Sequence, residues 1–260
     1  MAAMTIRVFV GCPANNEDLE FQAVLEYSMR KHCSEPIDLT WMKLSKDPRS
    51  YWYSSAARRE GWLTSSWATP FSGFRWAIPA FCKFEGRAIY LDIDMIVMAD
   101  LSELWNTELK GDAFCIAKDH KTFCCTLWDC ARAQYQLPPV NRIRREYALY
   151  AHLRKKFNPL QIQQFENGNW NCLDGESYQN IRDPEVKIVH FTSIPHQPQL
   201  KYALPRLAAR GQRHWSNHKP QTHWRPDLIG LFDEVLEEAK AHDYPPERYQ
   251  TQETFGKYYR

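Results

Sequence analysis

The stretch Ala88-Ile-Tyr-Leu-Asp-Ile-Asp-Met-Ile-Val-Met98 is apolar at both ends and carries two aspartates one residue apart in its middle. An apolar run bounded in this way reads as a buried strand. An isolated ionised carboxylate in such surroundings costs far more than packing returns. Asp92 and Asp94 must therefore meet a cation or a dense set of hydrogen bonds. Residues i and i+2 of a strand point to one side, so at a strand's end both carboxylates can converge on one point. A divalent metal is the simplest occupant. The competing reading is that the two aspartates only cap a turn.

The rest of the chain predicts an α/β fold: one domain with a mixed central sheet flanked by helices and a C-terminal helical and loop extension. Residues 5–10 form an apolar strand ending at Gly11. Over 18–32, Phe21, Val24, Leu25, Ser28 and Met29 recur at helical spacing, and 37–42 reads as a second strand. Further strands are expected at 87–91, 95–98, 113–117, 122–128 and 186–191, with helical turns at 100–105 and a terminal amphipathic helix at 228–241. Residues 49–70 are irregular and rich in Ser, Trp and Tyr, as in a loop over a site. Ser72 caps a short helix carrying Phe74, Arg75 and Ile78, which Pro79 should kink or end. The polar segment 195–226 is punctuated by prolines. Ligands of open α/β sheets bind beyond the carboxyl ends of the strands, which is where Asp92 and Asp94 fall.

Charge and cysteine usage narrow the partners. A net charge of +2 indicates no attraction to nucleic acid or membrane. No run approaches the roughly 20 apolar residues of a membrane span, and a secretory signal is lacking, so a soluble cytoplasmic protein is expected. The eight cysteines contain no C-x-x-C pair, which fits buried, reduced thiols. His214, His218 and His223 lack the glutamate of a metalloprotease helix and lie in a loop-like stretch. In 142–157, Ile143, Tyr147, Tyr150, Leu153 and Phe157 share one helical face, with Arg142, Arg145, Arg154, Lys155 and Lys156 elsewhere; such a basic face is mostly solvated.

Two enzyme families end an apolar strand in D-x-D. Phosphohydrolases of the haloacid dehalogenase type use the first aspartate as nucleophile, but carry the motif on their first strand and add a lysine and an acidic pair not found here. The order Phe74-Arg-Trp-Ala-Ile-Pro79, Gly86-Arg-Ala-Ile-Tyr-Leu-Asp-Ile-Asp-Met-Ile-Val97 and Asp100-Leu-Ser-Glu-Leu-Trp105 resembles instead the nucleotide-sugar transferases of glycosyltransferase family eight, the glycogenin-like and bacterial galactosyltransferase-like group. Leu25 to His32, Trp170-Asn171 and Val189-His-Phe-Thr192 resemble further parts of that family, over residues 5 to 198.

The resemblance implies a GT-A fold: a Rossmann-like core over 1–198, with 199–260 as an extension packed on it. It implies Mn²⁺, or Mg²⁺, held by Asp92, Asp94 and His190, and a UDP-sugar donor whose anomeric configuration is retained. Ile93 would lie in the donor site between the two aspartates. Arg75 would reach the donor sugar or phosphate, Asp119 a sugar hydroxyl, and Gly11, Cys12 and Pro13 the uridine. His196 stands where the family has a lysine that binds the diphosphate. Where the family usually has Asn-Ser-Gly, this chain has Cys124-Cys-Thr126. The acceptor stays open among a carbohydrate, a lipid-linked or a small molecule, and a non-catalytic nucleotide- or carbohydrate-binding module is the non-enzyme alternative.

Overall fold

The computed structural model describes residues 4–258 apart from 147, 154, 156 and 177–179. Tyr147, Arg154 and Lys156 of the basic segment thus lie outside the described residues. The chain begins with β1 (Ile6–Gly11), α1 (Leu19–His32) and β2 (Ile37–Met42), followed by a small hairpin of β3 (Ser54–Ser55) and β4 (Glu60–Gly61). A 3₁₀ turn (Ser72–Ala77) leads into α2 (Ile78–Phe81), then come β5 (Arg87–Asp92), β6 (Met95–Val97) and α3 (Leu101–Trp105). The second half holds β7 (Cys115–Ala117), β8 (Cys125–Asp129), α4 (Cys130–Ala133), α5 (Val140–Arg145), α6 (Leu149–Leu153) and β9 (Ile162–Gln163). It closes with β10 (Cys172–Leu173), β11 (Ile188–His190), α7 (Leu200–Ala208) and α8 (Pro226–Ala241).

Six strands form the main sheet in the order β2-β1-β5-β8-β7-β9. β1 is parallel to β2 and β5, β8 is antiparallel to β5 and β7, and β9 is parallel to β7, so the sheet is mixed. β6, β11 and β10 make a second sheet in the order β10-β11-β6. Only Ile93 and Asp94 separate β5 from β6, so the chain crosses from one sheet to the other within the D-x-D motif. Pro79 occupies the second position of α2, where its missing N–H has no intrahelical partner to lose, and the turn of helix continues to Phe81.

One helix is not apparent in the proline-punctuated stretch. In α7, Leu200, Ala203 and Leu207 are buried along one face although Pro205 sits inside the helix. The helix is tied to α1 by an ion pair between Arg206 and Glu20, with Arg206 Nη2 3.0 Å from Glu20 Oε2. α8 packs on α1 through an edge-on Phe21–Phe232 contact with ring centroids 5.3 Å apart. Among the described residues no helix is long and apolar enough to cross a membrane.

The final described residues cover the loop after β1. Asn15 exchanges two hydrogen bonds with the Gly256 backbone, at 2.7 and 2.8 Å, and Asn16 does the same with Thr251 at 2.8 Å each. The Tyr258 hydroxyl accepts from Ala14 N at 2.6 Å and donates to Glu17 Oε2 at 3.0 Å. Glu17 is fully buried there; burial, with Asp18 beside it, pushes its carboxyl up to about 7. The folded state therefore binds this proton more tightly than the unfolded chain, and stability should fall as pH rises from the ordinary glutamate range to about 7. Each unit corresponds to about 1.4 kcal/mol, so the effect is on the order of 3 kcal/mol. Thermal melts of Glu17→Gln should match wild type near pH 5 and exceed it at pH 8. An equal gap at both pH values would contradict a neutral buried Glu17.

Candidate active site

Asp92 ends β5 between two neighbours in register. On one side Gly11 of β1 is paired with it, and on the other its N–H donates to Cys124 O at 2.9 Å. A Cβ at Gly11 would lie 3.1 Å from Phe71 O, so the absence of a side chain lets the 71–77 segment close over the strand ends. That segment supplies Arg75. Its Nη2 donates to Asp92 Oδ1 at 2.8 Å, its Nε to Ser72 O at 2.7 Å and its Nη1 to Phe123 O at 2.8 Å. Tyr90, two residues before Asp92 and on the same side of the strand, donates its hydroxyl to the same Oδ1 and lies under the guanidinium, 4.7 Å from ring to Cζ. Burial alone would weaken Arg75 as a cation, but Asp92 beside it holds its pKa well above the ordinary value.

His190 arrives from the second sheet. β6 and β11 are antiparallel with Met95 opposite His190, and Phe191 N donates to Asp94 O at 2.9 Å. This register brings His190 Nε2 to 3.2 Å from Asp94 Oδ1 and 3.9 Å from Asp92 Oδ2. The other ring nitrogen is bonded to Asn171 Oδ1 at 2.9 Å, so Nδ1 carries the hydrogen and Nε2 faces the carboxylates. Burial would lower the imidazole, but Asp94 and then Asp92 raise it above its ordinary value; burial in turn raises Asp94 against the pull of His190. A bare nitrogen lone pair aimed at two carboxylates is tenable only with a positive charge between them. That charge is either a proton on the imidazole or a metal ion. Carboxylate oxygens plus one imidazole suit Mn²⁺, and the fixed tautomer presents the ligating nitrogen, so the donor set fits a divalent cation. One ligand atom each from Asp92, Cys124 and His190 lie within 4.8 Å of one another; Asp94 meets this group through His190.

Asp94 Oδ2 also accepts from Gln197 Nε2 at 2.6 Å. Gln199 Nε2 bonds Gln197 Oε1 at 3.1 Å and Asp18 Oδ1 at 3.0 Å, while His214 Nε2 and Trp215 Nε1 reach the same carboxylate at 3.0 and 3.2 Å. Burial would raise Asp18, but His214, Gln199 and Trp215 hold it below the usual carboxylate range. A buried polar chain thus runs from the D-x-D motif into residues 199–215. Above it lies a cavity of about 340 Å³, walled by Phe21, Phe71, Trp76, Phe123 and Trp215 with Lys121 on its lining. That volume is on the scale of small-molecule sites.

Of the residues singled out in the sequence, Arg75, Asp92, Ile93, Asp94 and His190 line this cavity. Gly11 is paired with Asp92 but is not on the lining, and Cys12 and Pro13 are buried away from it. The Cys12 thiol packs 3.9 Å from Met42 O and burial pushes it up to about 12. Asp119 caps its own turn, accepting from Lys121 N at 2.7 Å and Thr122 N at 2.8 Å, and its two partners line the cavity in its place. His196 is turned away: its Nδ1 bonds Ser193 Oγ at 2.8 Å and its ring lies 4.9 Å from that of Trp224. The next residue, Gln197, lines the cavity instead. His214 and His223 part company, the first to Asp18 and the second to 3.5 Å from Asp174 Oδ2, and His218 is exposed. Tyr90, Gln197 and Asp18 were not foreseen. Only Tyr90 carried a signal, its i−2 spacing from Asp92.

Comparison with known proteins agrees with this geometry. Residues 64–158 match the model of the glycosyl transferase family 8. Protein CDI of Arabidopsis thaliana is 28% identical over 213 residues, covering 72% of this chain and 77% of that protein. Among solved structures, galactosyltransferase LgtC in complex with donor and acceptor sugar analogues is similar at a TM-score of 0.53 and 13% identity, covering 90% of this chain and 96% of that one. The apo form of the glycosyltransferase GlyE of Streptococcus pneumoniae TIGR4 is similar at 0.50 and 15% identity, with 93% and 64% covered. The chain has the fold of these glycosyltransferases, the GT-A fold. The family whose model matches residues 64–158 is the one that the strand and its flanking motifs resemble.

Asn171 offers a test of the histidine's setting. Second-sphere partners of metal-bound histidines contribute about 10- to 100-fold in affinity. Asn171→Ala should weaken Mn²⁺ binding by that order in calorimetry while circular dichroism shows an intact fold.

Proposed function

We propose that the protein transfers a hexose from a UDP-sugar to a carbohydrate, lipid-linked or small-molecule acceptor, in a Mn²⁺-dependent reaction that retains anomeric configuration. The observation that carries this reading is the meeting of Asp92, Asp94 and His190 at the junction of two sheets, on the wall of an aromatic cavity. Bound there, the metal would offset the negative charge that builds on the departing diphosphate. Asp92, Asp94 and His190 would hold it, and Asn171 would keep Nε2 toward it. Arg75 acts one step back: with all three donating nitrogens engaged by protein oxygens, it fixes the Asp92 carboxylate and so positions the ligand. Lys121, on the cavity lining, would meet phosphate oxygens, and the aromatic walls suit the faces of a base or sugar. LgtC, solved with donor and acceptor sugar analogues, supports a nucleotide sugar and a carbohydrate as partners. We take 1–198 as the transferase core and 199–260 as an extension that completes it, because Gln199, His214 and Trp215 hold Asp18 at the cavity.

Two measurements bear on this reading. Asp94→Asn should lose most Mn²⁺-dependent UDP binding in calorimetry while staying folded; unchanged affinity would remove Asp94 from the site. NMR of the product formed from an α-linked donor should show the α configuration kept. A β product would assign the chain to an inverting reaction on the same fold.

A further inference from the structure

Cys124 stands in the metal-facing group without a part in the reaction just described. The Asp92 N–H to Cys124 O hydrogen bond extends the β5–β8 register, in which Leu91 faces Cys125. Asp92 and Cys124 are therefore cross-strand neighbours, and their side chains leave the sheet on the same face. Cys125 points to the opposite face and is fully buried. The Cys124 sulfur accepts a long contact from Arg75 Nη1 at 3.7 Å, lines the cavity, and forms with an Asp92 oxygen and a His190 nitrogen the set whose members lie within 4.8 Å of one another. Metal bonds of about 2.0–2.3 Å bring tetrahedral donors to about 3.4–3.8 Å, a contraction that side-chain rotation can supply. His190 Nε2, 4% exposed as a residue and with its other nitrogen committed to Asn171, already faces this point.

A thiolate changes which ion such a site favours. Carboxylate and water oxygens suit Mg²⁺ and Mn²⁺, whereas sulfur beside imidazole suits Zn²⁺ and Co²⁺. We propose that Cys124 is a further ligand of the metal centre beside Asp92 and His190, and that its sulfur lets the site hold zinc-class ions as well as Mn²⁺. The proposal rests on the reading that Asp92 and His190 bind a metal. On binding, the sulfur–metal bond forms as the S–H proton passes to buffer. Asp94, held by Gln197, stays outside the sulfur-containing set.

Titration of the full chain with Co²⁺, with and without UDP, tests this. Visible d–d bands report that the ion is bound, and near-ultraviolet thiolate-to-cobalt absorption reports sulfur ligation. Wild type and Cys125→Ser should show both. Cys124→Ser, and Cys124→Ala as a second variant, should keep the visible bands, lose the near-ultraviolet band and bind Zn²⁺ at least about tenfold more weakly, with Mn²⁺ affinity unchanged. Visible bands without thiolate absorption in wild type, or absorption that survives both Cys124 variants, would overturn the sulfur ligand and leave the metal site standing. Wild type that takes up neither Co²⁺ nor Mn²⁺ under either condition would overturn both.

Discussion

The carboxylate of Asp92 has to be stabilised at the end of a buried strand before anything else in the cavity can be arranged. Arg75 and Tyr90 do this through one oxygen, leaving the other turned toward His190. A buried ion pair adds little net stability, yet removing one partner leaves an uncompensated charge and costs about 3–5 kcal/mol. The short 3₁₀ turn that carries Arg75 is therefore held against the strand ends by necessity, and its closeness depends on Gly11 having no side chain. Once that turn is in place, Phe71 and Trp76 form one wall of the cavity and Phe123, whose carbonyl accepts from Arg75, forms another.

The second carboxylate is stabilised differently. Asp94 shares a proton or cation with His190 and takes an amide hydrogen bond from Gln197, and the chain of side chains continues through Gln199 to Asp18 and His214. Each bond in such a buried polar network constrains the geometry of the groups it joins. Here the network spans the first helix, the D-x-D turn and the segment after 199. The segment from 199 on thus holds Asp18 through Gln199, His214 and Trp215, and reaches Asp94 only through the bond from Gln199 to Gln197.

Much of this was legible in the sequence. The strand 87–92, the carboxylate pair and Arg75 follow from apolar runs interrupted by charge, because a buried charge must have a reason. His190 was legible only through the flanking motifs, since a histidine at the end of an apolar strand is usually a core residue. What stayed hidden depended on contacts between distant segments. Gln197 and Gln199 are ordinary polar residues until folding places them between Asp94 and Asp18. His196 and Asp119 illustrate the converse: each sits at a motif-like position, but a local hydrogen bond to Ser193 or to the turn at 121–122 fixes the side chain away from the cavity. The helix over 200–208 was masked by Pro205, a poor helix former that tertiary packing overrides.

The loop at 14–17 also sets an order on biosynthesis. The Ala14 N–H, the Asn15 and Asn16 side chains and one oxygen of Glu17 bond to residues 251–258, with sequence separations of 235 to 244. Contacts that span so much chain are among the slowest to form. In a growing polypeptide β1 and β2 can pair early, but Asn15 and Asn16 must wait in water until the far segment has been made. Because Asp18 follows that loop directly, the cavity wall it contributes should be among the last parts to settle, and intermediates that already hold the central sheet would still present an unfinished pocket.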